Sequence, residues 1–493
     1  QINDLNGSVM LTISQKEIVT RFHFDNPWWE THSVEQRYKE FPRRFYFEPF
    51  YKLIKESSIN RAVVLMGPRR VGKTVMVYHA VHRLLEEGVS PNNILYVPLE
   101  TPIYTGLSLE KILNIFQEEF LHKRDESLFI VFDEIQYLPN WEVHLKSLVD
   151  SYPSYKYIAT GSAAAALKLK SRESGAGRFT EFLLPPLTFA EYISFIGKSD
   201  SLIKTENNAW EAKDIDKLNE EFINYLNYGG YPEAVFSDVI QGDSSRYIKS
   251  DIIDKVLLRD LPSLYGINDV QELNKLFNAI AYNTGNEITL EALSQSSGVS
   301  KNTIKKYIEY LEAAFLIKII NRVDVTSKKF KRATTFKVYL TNPSMRAALF
   351  GPITEDHDAM GGLTETAIFS QWFHNQDIEN LHYARWKSGE VDIVWLNIAT
   401  QQPYWCVEVK WSDLPCSDSR LVKGVVEFIK KNDIKDGLIT TKTISQEGIF
   451  DGVPIRFQPS ASYTYTLGAN MLSEESFDRQ LTKSLEVNEP EST

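Results

Sequence analysis

The stretch that most constrains the fold is Arg61–Thr74, RAVVLMGPRRVGKT. Residues 62–66 form a short apolar run with β-branched members, which predicts a buried strand. Residues 67–74 then fit G-x-x-x-x-G-K-T, whose glycines let consecutive backbone N–H groups turn toward a phosphate. A helix beginning near Thr74 would point its positive N-terminus at the same anion. The order of strand, loop and helix therefore predicts a P-loop in an α/β sheet, rather than an ordinary Gly-rich turn.

This loop predicts ATP and Mg²⁺ as cofactors. Lys73 is long enough to reach the β- and γ-phosphates, and the Thr74 hydroxyl can bind Mg²⁺. Both residues are therefore candidates for direct participation in phosphate chemistry. The residues expected to contact the nucleotide are Gly67, Pro68, Arg69, Arg70, Val71, Gly72, Lys73, Thr74 and Val75.

A second motif is the apolar run at residues 128–132, LFIVF, which ends in Asp133-Glu134. A run this apolar suits a central parallel strand that is covered on both faces. The carboxyl end of such a strand lies beside the P-loop, where ligands bind in open α/β sheets. We expect Asp133 to hold Mg²⁺ through water and Glu134 to polarise the attacking water. A carboxylate that only caps a helix is the alternative.

A hydroxyl side chain is also expected at the tip of the next strand. The apolar run at residues 155–160 ends in Thr160-Gly161-Ser162. A hydroxyl at this position can contact the γ-phosphate or orient water. Ser162 is the first candidate and Thr160 the second.

These motifs resemble the AAA+ class of P-loop ATPases. They are most similar to prokaryotic ATP-binding proteins whose acidic motif continues as DEIQYLPxW and whose next strand ends in TGS, here residues 133–141 and 160–162. The segment PLTFAEY at residues 186–192 matches too, whereas the alanines at 163–166 replace expected serines. The resemblance runs from about Phe45 to about Phe457. It implies ATP hydrolysis and a homo-oligomer such as a ring.

The resemblance also implies roles for a proline and an arginine. Pro232 looks like the proline of a glycine-x-proline lid signature that lies against the adenine, although from the residues alone it is a proline near a helix start. Arg178 lies in a region that faces the neighbouring subunit in AAA+ rings, so it is the candidate arginine finger, with Arg172 in reserve. A local salt bridge to an acid such as Glu173 is the alternative.

Residues 290–314 have the pattern of a helix-turn-helix, and residues 315–322 follow as a wing strand. From Lys301 to Arg332 the chain carries nine Lys/Arg and three Asp/Glu, although its net charge is −11. A local basic face is the electrostatic footprint of DNA binding. A winged helix that packs only against protein is the alternative. The expected packing positions are Leu293, Val299, Ile304 and Leu311.

The C-terminal part contains a second group of candidate site residues. Glu365 lies on a predicted helix, Asp392 in the strand GEVDIVW, and Glu408 and Lys410 in the strand WCVEVKW. Residues two apart on a strand point to the same face. This order resembles the PD-(D/E)XK nuclease core. There Asp392 and Glu408 would hold a divalent metal, Lys410 would support the attacking water or a phosphate, and Glu365 would complete the site. A nuclease fold used only for binding, and a coincidence, are the alternatives.

At 493 residues the chain is too long for one core. Its two cysteines form no metal motif and suit a reducing compartment. No apolar run approaches the length of a membrane span, and no signal-peptide pattern opens the sequence, so a cytoplasmic protein without membrane partners is expected. The predicted parts are residues 1–40, an N-terminal extension; 41–190, the P-loop core; 191–262, a helical lid; 263–335, a winged helix; 336–468, a nuclease-like domain; and 469–493, an acidic tail.

Three functional hypotheses follow. The first is an AAA+-type ATPase that acts on DNA, by remodelling, translocation or processing, through a winged helix and a nuclease-like domain. The second is a nucleotide switch in signalling or defence, in which ATP binding changes assembly. The third is a DNA-binding scaffold whose nuclease-like domain is inert.

Overall fold

The computed structural model describes residues 14–56, 58–161, 177–206, 209–243, 245–326, 335–373 and 378–473. Two predicted site residues, Ser162 and Arg172, lie outside these ranges. Across the described ranges, no helix combines the length and apolarity that crossing a bilayer requires.

The N-terminal segment forms helices α1 (Gln15–Asp25), α2 (Trp28–Thr31), α3 (Gln36–Glu40) and α4 (Phe47–Lys55). Helix α1 begins with a capping box in which Ser14 and Glu17 satisfy each other's backbone N–H groups. The indole N–H groups of Trp28 and Trp29 both donate to the carbonyl of Ile94, at 3.2 and 2.8 Å. These two tryptophans therefore bind the N-terminal segment to β2 of the same chain.

The P-loop part is built on a parallel sheet. Its strands are β1 (Ala62–Met66), β2 (Ile94–Pro98), β3 (Phe129–Asp133), β4 (Lys156–Gly161) and β5 (Phe179–Leu183), and its helices are α5 (Lys73–Glu86), α6 (Leu109–Phe120) and α7 (Trp141–Ser151). Within the described residues the strand order is β2-β3-β4-β1-β5. Strands β1 and β3 are buried along their whole length, which explains their continuous apolar runs. Because β4 lies between them, the carboxyl ends of three central strands meet at one edge.

The region that the sequence predicts as a lid follows, and we call it the lid region. Its helices are α8 (Phe189–Phe195), α9 (Ser199–Leu202), α10 (Ile215–Tyr228), α11 (Pro232–Phe236), α12 (Asp238–Gly242) and α13 (Leu261–Tyr265), and its strands are β6 (Ile203–Glu206) and β7 (Ala209–Ala212). Between α12 and α13 the chain is π-helical over Ser245–Asp254 and Val256–Asp260. Wider π-helical turns change which side chains face a neighbour, and they are frequent at functional sites.

The described strands of the remaining chain belong to one sheet. Its helices are α14 (Val270–Tyr282), α15 (Leu290–Ser297), α16 (Lys301–Ala313), α17 (Ser344–Phe350), α18 (Met360–Trp372), α19 (Lys423–Asn432) and α20 (Ser460–Met471). Its strands are β8 (Glu287–Thr289), β9 (Ile317–Val323), β10 (Thr335–Leu340), β11 (Leu381–Trp386), β12 (Gly389–Leu396), β13 (Pro403–Glu408), β14 (Gly437–Thr441), β15 (Gln446–Phe450) and β16 (Val453–Pro459). Among the described residues the order is β15-β16-β14-β13-β12-β11-β9-β10-β8.

The pairing of β9 reaches across the boundary predicted at residue 335. Strand β9 pairs with β10 on one side, antiparallel, and with β11 on the other, parallel. The predicted boundary after residue 335 therefore falls at the start of β10 and does not separate two sheets.

Two helices, α15 and α16, form where the sequence predicts them. Helix α15 ends at Gly298, which adopts a left-handed conformation with φ of 76°. Ser300 then caps α16 by accepting a hydrogen bond from the Thr303 N–H at 3.3 Å. The predicted packing positions are all buried, namely Leu293, Val299, Ile304 and Leu311.

Candidate nucleotide site and carboxylate–lysine cluster

The P-loop has the backbone geometry that its glycines predict. A Cβ on Gly67 would lie 2.1 Å from the carbonyl oxygen of Leu184, so only glycine fits there. Gly72 precedes α5 with a φ of 95°. The buried Lys73 ammonium donates to the carbonyls of Gly67 and Pro68, at 3.1 and 2.8 Å, and burial lowers the pKa of this lysine. The lysine is thus folded over its own loop.

Asp133 is the centre of the hydrogen-bond network beside this loop. Its carboxylate accepts from the Thr74 hydroxyl at 3.1 Å, from the Tyr96 hydroxyl at 2.6 Å, and from the Thr160 hydroxyl. Burial and then the charge of Glu134 raise the pKa of Asp133, against these hydrogen bonds. A divalent cation next to Thr74 and Asp133 would offset that buried negative charge, so these residues fit Mg²⁺.

Glu134 is held beside the same network. It is a non-glycine residue in the left-handed region, with a φ of 54°, a conformation that clusters at functional sites. Its backbone N–H donates to the Thr160 hydroxyl at 3.0 Å, and Gln136 donates to its carboxylate. Thr160, the second candidate for the hydroxyl at the strand tip, therefore positions both acidic residues. The first candidate, Ser162, lies outside the described residues.

The two loop arginines predicted to contact the nucleotide are ion-paired with lid residues. Arg69 makes a two-pronged pair with Asp260, at 2.8 and 3.0 Å, and the two side chains are 16% and 12% exposed. Arg70 pairs with Glu233 at 2.9 Å and with Asp251 at 3.1 Å. Two acids of the π-helical segments, Asp251 and Asp260, therefore bind the P-loop.

Pro232 lies on the same side of the loop. Its ring Cγ is 3.9 Å from the position that a Cβ on Gly72 would take. The proline is thus placed beside the P-loop, as a contact with bound nucleotide requires, and its role there stays a prediction.

Arg44 is a supporting residue that the sequence did not reveal. Its guanidinium pairs with Glu191 at 2.8 and 2.9 Å, and it donates to the carbonyls of Val71 at 2.7 Å and Pro185 at 3.0 Å. The Arg44 and Glu191 side chains are 4% and 0% exposed. This buried pair joins the N-terminal segment, the P-loop and the lid. No local pattern marks it, because its partners are 147 residues apart.

Arg178 lies away from this site within its own chain. Its carbonyl accepts from the Ala62 N–H at 2.9 Å, which places it at the amino end of β1 and β5, opposite the P-loop edge. Its guanidinium pairs with Asp150. A role toward the nucleotide of a neighbouring subunit stays a prediction.

The predicted C-terminal residues come together around two lysines. Lys337 on β10 donates to Glu365 on α18 at 2.7 Å and to Asp392 on β12 at 2.8 Å. Lys410 donates to Glu408 at 2.6 Å and lies 4.0 Å from Asp392. We call these five residues the carboxylate–lysine cluster. Lys410 lies just beyond β13, which ends at Glu408, so the prediction that both residues share one strand was wrong.

Burial and mutual repulsion shape the titration of this cluster. Burial and then Asp392 raise the pKa of Glu365 to about 7 and that of Glu408 to about 8. For Asp392 burial acts upward, but Lys337 and Lys410 outweigh it and hold its pKa below the usual range.

The cluster does not fit a metal ion as it is arranged. In the part of the chain that the structure describes, no group of three or more His, Cys, Asp or Glu residues is placed to hold one. The reason is Lys337, whose ammonium stands between the carboxylates of Glu365 and Asp392. No sequence motif marks Lys337.

Comparison with known proteins agrees with the geometry of the P-loop part. Residues 59–193 match the family model described as an AAA domain. Together with the strand order and the P-loop, this match shows an AAA-type α/β fold for that segment. Residues 219–356 match a second family model, described as a domain of unknown function, DUF8612.

Two relatives extend beyond the P-loop part. A Haemophilus influenzae protein described as "Uncharacterized protein" is 26% identical over 305 residues, 61% of this chain and 72% of the relative. "Uncharacterized protein MJ1544" of Methanocaldococcus jannaschii is 25% identical over 342 residues, 68% of this chain and 72% of the relative. This chain is thus similar to proteins from both bacteria and archaea.

Two solved structures match part of this chain at low similarity. "Replication initiator DnaA bound to AMPPCP and single-stranded DNA" is 13% identical with a TM-score of 0.28, and the match covers 58% of this chain and 91% of that one. The "S. cerevisiae Hsp104:casein complex" is 13% identical with a TM-score of 0.29, over 61% of this chain and 55% of that one. At TM-scores this low, neither activity carries over to this protein.

Proposed function

We propose that this protein hydrolyses ATP and couples hydrolysis to action on DNA. The observation that carries the ATPase proposal is the contact of Asp133 with both Thr74 and Thr160 beside the P-loop. A metal-binding hydroxyl, an acidic residue and a polar strand tip are the groups that phosphoryl transfer requires around a nucleotide.

Each group has a defined task in the proposed reaction. Lys73 leaves the carbonyls of its loop and binds the β- and γ-phosphates, together with backbone N–H groups at the start of α5. Thr74 and Asp133 hold Mg²⁺, which neutralises phosphate charge when it is bound. Glu134 polarises the attacking water, and Thr160 keeps the acidic pair in place.

Two variants test this assignment. Lys73→Ala removes the phosphate contact and is expected to abolish ATP binding or turnover. Glu134→Gln removes only the water-polarising charge, so this variant is expected to bind ATP and to turn it over slowly. The measurement is phosphate release with ATP and Mg²⁺, alongside equilibrium binding of a fluorescent ATP analogue. Wild-type turnover in both variants would refute the assignment.

The DNA part of the proposal comes from α15 and α16, which we assign as the helix-turn-helix of a winged helix. Lys305 and Lys306 are exposed on α16, the helix that would enter the major groove. The informative assay is ATP turnover with and without duplex, forked and four-way-junction DNA. Stimulation by one of these supports a DNA-coupled motor, and indifference to all of them refutes it.

A nucleotide switch is the second candidate, and the contacts between P-loop and lid favour it. Arg69 and Arg70 are held by the acids of one lid region, so phosphate binding at the loop competes directly with lid docking. A switch predicts that ATP and ADP give different assembly states without DNA. This is measured by sedimentation of Glu134→Gln with each nucleotide. Identical sedimentation would refute the switch.

We also propose a homo-oligomer in which Arg178 reaches the nucleotide of a neighbouring subunit. Arg178→Ala and Lys73→Ala proteins are mixed, because only mixed interfaces then pair an intact P-loop with an intact arginine. Recovered ATP turnover supports action in trans. Co-assembly without recovery refutes it.

The C-terminal part is proposed to have a nuclease-like fold. Its support is a chain of contacts: Lys337 links Glu365 to Asp392, and Lys410 links Asp392 to Glu408. DNA cleavage and a cytoplasmic location remain predictions.

A further inference from the structure

Strand β2 lies at one edge of the P-loop sheet, and the N-terminal segment covers that edge. Among the described strands of the sheet, β2 pairs with β3 alone. On its other side the Asn26 side chain bonds to both backbone groups of Tyr96. The amide oxygen of Asn26 accepts from the Tyr96 N–H at 2.6 Å, and its nitrogen donates to the Tyr96 carbonyl at 2.9 Å. Asn26 is 0% exposed, so it replaces a neighbouring strand at this point of the edge.

The Tyr96 side chain reaches from this edge strand to the proposed Mg²⁺ site. Its hydroxyl donates to Oδ2 of Asp133 at 2.6 Å, the same oxygen that accepts from the Thr74 hydroxyl at 3.1 Å. Tyr96 and Asp133 are 5% and 4% exposed, so bulk water does not reach the bond between them. The direction of the Asp133 carboxylate therefore depends on its protein donors, and Tyr96 is one of them.

The Tyr96 ring is held by aromatic contacts that lead back to the N-terminal segment. The ring centre of Tyr78, on α5, lies 5.1 Å from that of Tyr96. Tyr78 stacks in turn on Tyr38 of α3, with ring centres 3.9 Å apart and an angle of 4° between the planes. The N-terminal segment thus contacts Tyr96 at its backbone through Asn26, and supports its ring through Tyr38 and Tyr78.

We propose that Tyr96 is a positioning residue for Asp133, and that Asn26 holds Tyr96 in place, so that the N-terminal segment is part of the ATP site. The inference rests on the proposed ATPase function. Groups that hydrogen-bond a metal-binding carboxylate fix its direction, and their loss costs about 10-fold to 100-fold in metal affinity or activity. Neither Asn26 nor Tyr96 belongs to the P-loop or to the acidic motif.

The test is a double-mutant cycle on the full chain with Tyr96→Phe and Asn26→Ala. Two quantities are measured: the maximal rate of ATP turnover, and the affinity for Mn²⁺ in the presence of a non-hydrolysable ATP analogue, from the electron paramagnetic resonance of free Mn²⁺. Tyr96→Phe keeps the ring and removes the hydroxyl, so both quantities are expected to fall about tenfold. Asn26→Ala is expected to lower both about threefold. The double variant is expected to match Tyr96→Phe, because Asn26 acts through a hydroxyl that is already absent.

Trp29→Phe is the matched control. It removes an indole donor from the same segment, while the Ile94 carbonyl keeps its bond from Trp28. Turnover and Mn²⁺ affinity of this variant are expected to stay within about twofold of the wild type, whatever its thermal unfolding does. Binding of the ATP analogue without metal is expected to be unchanged in all variants, because the P-loop is intact.

The contrary outcomes are distinct. A Tyr96→Phe protein whose turnover and Mn²⁺ affinity stay within about twofold of the wild type overturns the proposal. A double variant whose loss is the product of the two single losses overturns the role of Asn26. If Asn26→Ala does not fold, Asn26→Ser replaces it, and a residue whose variants all fail to fold is structural, which overturns its part of the proposal. A wild type that binds the analogue and Mn²⁺ without turning over ATP refutes the proposed ATPase, and Mn²⁺ affinity then still decides the role of Tyr96.

Discussion

The hydroxyl of Thr160 is expected to contribute strongly to ATP turnover, although Thr160 lies outside the P-loop. It donates to Asp133 and accepts from the backbone N–H of Glu134 at 3.0 Å, and its residue is fully buried. Thr160→Val keeps the shape of the side chain but removes both hydrogen bonds. The change therefore releases the two acidic residues without opening a cavity.

The magnitude follows from these two bonds. A hydrogen bond to a charged group contributes about 1.5 to 3 kcal/mol, and a neutral one about 1 kcal/mol, so the pair amounts to about 2 to 4 kcal/mol. If the whole amount is lost from the transition state, turnover falls about 30-fold to 1,000-fold. The lower value is expected when part of the loss appears as reduced stability.

The assay compares ATP turnover, ATP-analogue binding and thermal unfolding for the wild type, Thr160→Val and Thr160→Ser. Thr160→Ser is the matched control because it keeps the hydroxyl and loses only a methyl group, so it should retain most of the turnover. Nucleotide binding by Thr160→Val should remain close to that of the wild type. Turnover of Thr160→Val within about twofold of the wild type would refute the reasoning, since that corresponds to less than about 0.5 kcal/mol.

Three further predictions concern other contacts. Arg44→Met leaves Glu191 buried without its partner, so the free energy of unfolding should fall by about 3 to 5 kcal/mol. Urea unfolding followed by tryptophan fluorescence measures this, and an unchanged transition would contradict it. Asp260→Asn frees Arg69 to bind phosphate, so the affinity for an ATP analogue should rise about fivefold, corresponding to about 1 kcal/mol. Fluorescence anisotropy measures this affinity, and weaker binding would contradict a competing lid contact. Lys305→Glu should weaken duplex DNA binding about tenfold at low salt and reduce the salt dependence of binding. ATP turnover without DNA is the control, and unaltered DNA binding would exclude α16 from the interface.

The P-loop and its neighbouring strands could be predicted because their signals are local. Five consecutive apolar residues and the spacing of Gly67, Gly72 and Lys73 specify strand, loop and helix within one short window. Asp133 was also predictable, because the carboxyl ends of parallel strands share an edge. The hydroxyl at the strand tip was harder to predict: the pattern placed Ser162 first, and only the tertiary structure shows that Thr160 contacts both acidic residues.

Contacts between distant residues could not be predicted in the same way. Lys337 meets Asp392 across 55 residues, and Arg69 meets Asp260 across 191. Neither pair leaves a periodic or spaced pattern, because tertiary packing alone brings the partners together. The pairing of β9 with both β10 and β11 depends on tertiary contacts in the same way.

The single C-terminal sheet has a consequence for synthesis of the chain on the ribosome. Strand β9 can pair with β10 soon after both leave the ribosome. Its other edge pairs with β11, whose first residue is Leu381, so that edge stays unpaired until β11 has been made. At about 5 to 20 residues per second, the roughly 60 residues between β9 and β11 take about 3 to 12 s to appear. During that interval the free edge of β9 is a template for pairing with other nascent chains. A chain that stops short of Leu381 never closes it.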